Sequence, residues 1–224
     1  MTTSLATLRL LQISDSAFPS GSFAFSGGLE TLASDGVVTD AATLSDFIRG
    51  QAIGRWSGMD RWFICAAHDA SPDAKVLADL DRFCEAHVAI EALGEASRRV
   101  GLATLTTHGR MGTPGAAAYR TRIAAAEALG HAPVVQGMIG AGLALPIDAV
   151  EAGALYGAVN GLLTAAIRLG IVGALEAQTL LAGLGTDMAA TLAAPPPHLP
   201  TAFTPLADIA VSRRAGDAGR LFSS

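Results

Sequence analysis

The chain has 224 residues, enough for one large domain or two small ones, with 50% hydrophobic, 16% charged and only 5% aromatic residues. Its formal net charge of −5 comes with fourteen arginines and one lysine, Lys75, spread without a basic stripe, and with too few rings for a base-stacking platform. Together these exclude nucleic acid as an expected partner. Two cysteines, Cys65 and Cys84, form no disulfide-scaffold pattern, and the start has no basic, apolar and cleavable sections in order, so a reduced cytoplasmic protein is expected.

Alanine and leucine recur throughout, while β-branched and aromatic residues never alternate, which predicts an all-α fold. Residues 5–14 read as a first apolar helix that ends in the loop Asp15 to Gly21. Ser26 is placed to cap a short helix that Asp35-Gly36 stops. Thr39 or Asp40 starts the next, with Leu44, Phe47 and Ile48 on one face; Ser57 or Gly58 is expected to break it, leaving Met59 to Ala67 as a separate helix.

Ser71-Pro72-Asp73 reads as a cap followed by proline at the first helical position, and Thr113-Pro114 repeats that start. Between them, Val76, Leu80, Phe83, His87 and Ile90 set an apolar stripe on a helix expected to reach about Thr107, bent at Gly94 or Gly101. Pro133 and Pro146 open two more helices, the second carrying Val159, Leu162, Leu163, Ala166 and Ile167 as a stripe. A last helix spans Ala174 to Ala193.

Pro195-Pro196-Pro197 then ends regular structure. The expected organisation is a single compact multi-helix bundle over 1–194 and an extended C-terminal tail over 195–224 that orders on a partner. Mean hydropathy is +0.41, yet the two longest uncharged helical stretches, Ala132 to Ile147 and Ala152 to Ile167, fall short of the ~20 residues of a membrane span. No membrane association is expected. Gly153, Gly157 and Gly161 share one helical face, fit for close backbone approach inside the fold or across a dimer.

Little here carries chemistry. The doubled Cys-x-x-His pattern, Cys65 with His68 and Cys84 with His87, offers four zinc ligands, but a turn at Ser71-Pro72 offsets the pairs by about 10 Å along the bundle. Buried cysteines and a core His87 are the expected reading, with no metal and no cofactor. Gly21 to Gly28 lacks the ending of a P-loop, and Gly137 to Gly142 lacks a dinucleotide-site spacing. No Gly-x-Ser-x-Gly elbow occurs, and the five histidines are read as lacking an obvious carboxylate companion at helical spacing. The chain is therefore read as a non-enzyme; the alternative is a helical enzyme using His87 or His131 as base in a cleft.

One segment stands out. Three of the eight phenylalanines, Phe18, Phe23 and Phe25, fall in the glycine-containing stretch ISDSAFPSGSFAFSGGLE, which fits a loop-borne partner surface. The stretch LLQISDSAFPSGSFAFSGGLE resembles the N-terminal signature of the UreF family of urease accessory proteins, through Pro19, Gly21, Phe23, Ser26, Gly28, Leu29 and Glu30. Ala96-Ser97-Arg98-Arg99 before Gly101, His131-Ala132-Pro133-Val134-Val135 with Gly137, and Ala165-Ala166-Ile167-Arg168-Leu169-Gly170 with Gln178 are similar to later family segments. Asp208-Ile209 and Arg220-Leu221-Phe222-x-Ser224 resemble its C-terminal end. The chain departs from the family where Leu169 is followed by Gly170-Ile171-Val172-Gly173-Ala174, and where Arg214, Ala215 and Ala218 replace a His-Glu pair and a tyrosine.

The resemblance implies a cytoplasmic homodimer that is not an enzyme. It would bind UreD (also called UreH), recruit the nickel-carrying GTPase UreG, control GTP hydrolysis by UreG and dock on the urease apoprotein to insert nickel. The partner-binding residues it implies are Pro19, Gly21, Phe23, Ser26, Gly28, Glu30, Arg168, Gln178, Arg220, Leu221 and Phe222.

Overall fold

The computed structural model describes residues 3–21 and 26–214, so the expectations for Phe23, Arg220, Leu221 and Phe222 lie outside the described residues. The described chain is helical throughout, without strands: α1 (Thr3–Ser14), α2 (Leu29–Ser34), α3 (Ala41–Phe47), α4 (Arg61–Ala70), α5 (Ala74–His87), α6 (Glu91–Arg110), α7 (Ala116–Ala124), α8 (Ala132–Gly142), α9 (Ile147–Arg168), α10 (Ala174–Ala193) and α11 (Pro205–Arg214).

Several ends follow from capping chemistry. Asp40 accepts from the Thr43 amide while the Thr43 hydroxyl accepts from the Asp40 amide, a reciprocal box that starts α3. Proline stands in the first turn of α8, and Pro146 precedes α9. Elsewhere the cap moves. Asp73, not Ser71, caps α5 by accepting from the Lys75 and Val76 amides, and left-handed Gly28 and Gly115, not Ser26 and Thr113, precede α2 and α7.

The break expected at Ser57–Gly58 does not form. Instead the helix continues from α3 into α4 through two π-helical stretches, Ile48–Ile53 and Trp56–Asp60. Gly58 serves another purpose: a Cβ there would lie 2.4 Å from the Thr201 carbonyl oxygen, so glycine lets the C-terminal segment cross closely.

Two adjoining apolar clusters fill the bundle. One joins α2, α3 and the π-helical stretch to α9 and α10 through Leu29, Leu44, Ile48, Trp56, Leu155, Val159, Leu163 and Leu184. The other joins α4 to α5, α6, α7 and α8 through Phe63, Leu77, Cys84, Leu105, Tyr119, Val134 and Met138. Helix α4 serves both, with Ile64 in the first and Phe63 in the second. It packs on α8 so closely that a Cβ at Gly137 would sit 2.2 Å from the Ile64 carbonyl oxygen.

Helix α9 has 22 residues, longer than its 16-residue uncharged stretch, because it runs on through Asp148 and Glu151. By length and composition alone it would pass for a membrane span. Of its expected stripe, Val159, Leu163 and Ala166 lie in the first cluster and Leu162 packs against it, while Ile167 is exposed; Glu151 is buried against an arginine. The single helix expected from Pro72 to about Thr107 is interrupted at Val88–Ile90. Within α5 the buried face is Leu77, Ala78, Asp81 and Cys84, one position round from the expected stripe, which leaves Val76 and Phe83 43% and 38% exposed.

The extended reading of the tail holds for residues 194–204 and gives way to α11 beyond them. Ala210 and Val211 of α11 are buried against α2, where a Cβ on Gly28 would lie 3.0 Å from both the Ala207 oxygen and the Ala210 Cβ. The Thr31 hydroxyl donates to the Ala210 carbonyl, and Arg213 pairs with Asp35. The extended part is fastened along α4 and the π-helical stretch before it by Trp62 Nε1 donating to the His198 carbonyl and the Thr201 amide donating to the Gly58 carbonyl.

Candidate functional site

The loop after α1 folds back on the bundle rather than standing free. Phe18 is buried with its ring 5.1 Å from the imidazole of His108, and the Thr107 hydroxyl donates to the Pro19 carbonyl. Gly21, at φ +74°, comes within Cβ range (3.4 Å) of Ala103. The loop is thereby clamped to the second half of α6, while Pro19 and Gly21 themselves remain exposed.

Beneath this loop lies a cavity of about 340 Å³, bounded by α1, the π-helical stretch, α6, α8 and α9. Arg55, Trp56 and Asp60 reach it from the π-helical stretch, Ser97 and His108 from α6, Gln136 from α8 and Asn160 from α9. The wider π turns change which side chains project inward, and such turns are frequent at functional sites. Burial pushes the Asp60 carboxyl above its ordinary range, with Arg55 and then His131 pulling in the opposite direction. Burial also lowers His108 to about 4, so it is neutral at physiological pH; its Nδ1 lies 2.9 Å from the Thr113 hydroxyl.

A polar network stands behind the cavity. Asp81, fully buried, accepts from the amides of Leu129, Gly130 and His131 and from the Tyr119 hydroxyl. The His131 side chain, fully enclosed, places Nε2 2.6 Å from Glu85, which also receives Arg98. Its Nδ1 is 3.2 Å from Ser97 Oγ, and that oxygen also accepts the Ala132 amide at the start of α8. Burial lowers the His131 pKa against the opposing pull of Asp81 and Glu85. His131 thus has a carboxylate companion, but across two helices rather than at helical spacing. It serves as a tie between α5, α6 and α8.

The Cys-x-x-His pairs do not converge. Cys65 Sγ donates to Glu151, His68 Nε2 bonds the Leu145 carbonyl, and His87 bonds the Phe83 carbonyl. Among the described residues, no three His, Cys, Asp or Glu side chains are arranged to hold a metal ion. His87, expected in the core, is exposed and packs edge-on against Phe83 at 4.3 Å. This follows from the one-position rotation of α5, which buries Cys84 and turns Phe83 and His87 outward.

The resemblance-derived positions fall into two groups. Pro19, Gly21, Arg168 and Gln178 are exposed. Ser26, Gly28 and Glu30 are buried, Gly28 directly against α11. Beyond these, the C-terminal segment displays Leu199, Phe203, Leu206 and Ile209 at 67%, 88%, 41% and 59% exposure. The last three recur every third residue.

The sequence profile of the UreF family matches residues 38–185. The chain belongs to the UreF family. It is 33% identical over 232 residues to the urease accessory protein UreF of Rhizobium etli, covering 98% of this chain and 96% of that protein. The Rhizobium johnstonii UreF is 32% identical over 230 residues with the same coverage. That of an Arthrobacter species is 32% identical over 194 residues, covering 83% and 81%. The cavity residues were not legible as a set, because Asp60, Ser97, Gln136 and Asn160 come from separate helices with no shared spacing. The one local signal was the glycine series Gly50, Gly54 and Gly58, which weakens the regular helix where the π turns form.

Proposed function

We propose that this chain acts as the helical scaffold of urease maturation, working in the cytoplasm as a homodimer and without catalysis of its own. It binds UreD (UreH), recruits the GTPase UreG and docks on the urease apoprotein, timing GTP hydrolysis by UreG so that nickel is passed onward. Family membership supports the accessory role. The observation that carries partner binding is the exposed apolar row Phe203, Leu206 and Ile209, which runs into the chain end bearing Arg220, Leu221 and Phe222. Large apolar side chains displayed together mark interaction surfaces. Pro19 and Gly21 on the clamped loop, with Arg168 and Gln178 near the α9–α10 turn, make further contacts in this reading, and Ser26, Gly28 and Glu30 hold the loop in shape.

Because Ala210 and Val211 are buried, a cut at Pro197 would strip cover from α2 and cannot separate binding from folding. A chain ending at Arg214 and the pair Phe203→Ala/Ile209→Ala are the informative variants. Each is expected to keep the wild-type helical spectrum, to bind UreD about tenfold more weakly or worse, and to fail to activate co-expressed urease. UreD binding at full strength in both would remove the C-terminal segment from the interface.

A further inference from the structure

Scaffolding does not account for the polar lining of the cavity beneath the loop. Arg55, Asp60, Gln136 and Asn160 converge there from three elements. None of these four side chains hydrogen-bonds or ion-pairs with another described residue. Trp56, buried beside them, has an indole N–H with no partner among the described residues. Buried polar groups in folded proteins are almost always paired, so the Trp56 N–H, together with four half-buried polar side chains facing the same space, points to a ligand. Val100 and Ile139 add apolar wall, and the volume of about 340 Å³ falls at the small end of the range for small-molecule sites.

The charges select the ligand class. Arg55 and Asp60 lie five residues apart on the π-helical stretch and do not pair with each other, although each acts on the other's field. A simple anion would satisfy Arg55 while facing Asp60, and a simple cation the reverse. We infer that the cavity binds a small zwitterion with an apolar side chain, an amino acid of about the size of leucine. Its ammonium group lies on Asp60, its carboxylate on Arg55, and its side chain against Val100 and Ile139. Gln136 and Asn160 supply the remaining donors and acceptors.

Calorimetric titration of the full-length protein with L-leucine tests this, alongside isovalerate, which lacks the ammonium, and isoamylamine, which lacks the carboxylate. L-Leucine should bind saturably at one site per chain, and each analogue about tenfold or more weakly. Asp60→Asn and Arg55→Gln should each weaken L-leucine binding to the same extent while the helical spectrum stays unchanged. Absence of saturable L-leucine binding overturns the inference, as does equal binding of either analogue or wild-type affinity in a folded variant. Should neither variant fold, the comparison of leucine with its two analogues on the wild-type protein decides alone. The outcome is independent of UreD binding, so the two readings stand or fall separately.

Discussion

Replacing Arg61 by methionine should be among the most damaging single changes in the bundle. Arg61 and Glu151 are 4% and 7% exposed. Arg61 Nε donates to Glu151 Oε1 at 2.7 Å and Nη2 to Oε2 at 3.3 Å. The same guanidinium donates to the carbonyls of Thr191, Leu192 and Ala194, closing the C-terminal end of α10. Arg61→Met would leave Glu151 buried beside only the Cys65 thiol. Breaking a buried pair from one side costs about 3–5 kcal/mol. The last carbonyls of α10 lie near the surface and can turn to water, so they add little. For a domain of this size each kcal/mol moves the melting temperature by about 2–4 °C, which gives a drop of roughly 6–20 °C. Thermal and urea melts followed by circular dichroism measure it. The double variant Arg61→Met/Glu151→Leu should regain most of the loss, because well-packed apolar replacements of buried pairs are often neutral. A single-variant loss below about 1 kcal/mol, or a double variant no better than the single, would refute the keystone role.

Three further outcomes follow from the same structure. Burial, and the acceptor Glu151, push the Cys65 thiol up to about 12, and burial pushes Cys84 up as well. Neither should be alkylated by iodoacetamide in the native protein at pH 8, and both should be once it is unfolded in urea; rapid native labelling seen by mass spectrometry would contradict this. His108 has a folded pKa depressed to about 4 against 6.5. The unfolded chain therefore binds the proton more tightly, and the stability that neutral His108 contributes is full above pH 6.5 and lost as pH falls towards 4. Wild type should lose about 2 kcal/mol more than His108→Gln between pH 7 and pH 5, as read from urea midpoints; parallel losses would sink the assignment. Gly137→Ala, forced against the Ile64 carbonyl, should cost about 1–3 kcal/mol or more, whereas Gly157→Ala, with no described atom within 4 Å of its Cβ, should be neutral or gain up to about 1 kcal/mol in thermal melts.

What could be read in advance was whatever depends on near neighbours. The box at Asp40 and Thr43, the prolines opening α8 and α9, and the span of α10 all follow from residues within one or two turns. The face of α5 was missed because its centre is Asp81, a charge that reads as solvent-facing. It is buried only because the amides of residues 129–131 and Tyr119, about 40 to 50 positions later, satisfy it. The π-helical stretch was read as a break since Gly58 is a poor helix former, and its partner Thr201 lies far along the chain. Helix α11 escaped for a related reason: its buried residues Ala210 and Val211 are adjacent and set no period, and α2 supplies the surface that orders them. Which of the family-signature residues are exposed and which are buried was not readable, because Gly28 owes its burial to Ala207 and Ala210.

The union of α2 with α11 also sets a timetable. Thr31 and Ala210, which bond across that joint, are 179 positions apart in the chain. At synthesis rates of about 5–20 residues per second, the ribosome makes α2 on the order of 10–40 s before the helix that covers it. For much of that interval α9 has not been made either, so Leu29 and its neighbours have only α3 to pack on. A nascent chain stalled before residue 205 should therefore present this patch to chaperones, and the finished molecule should hide it.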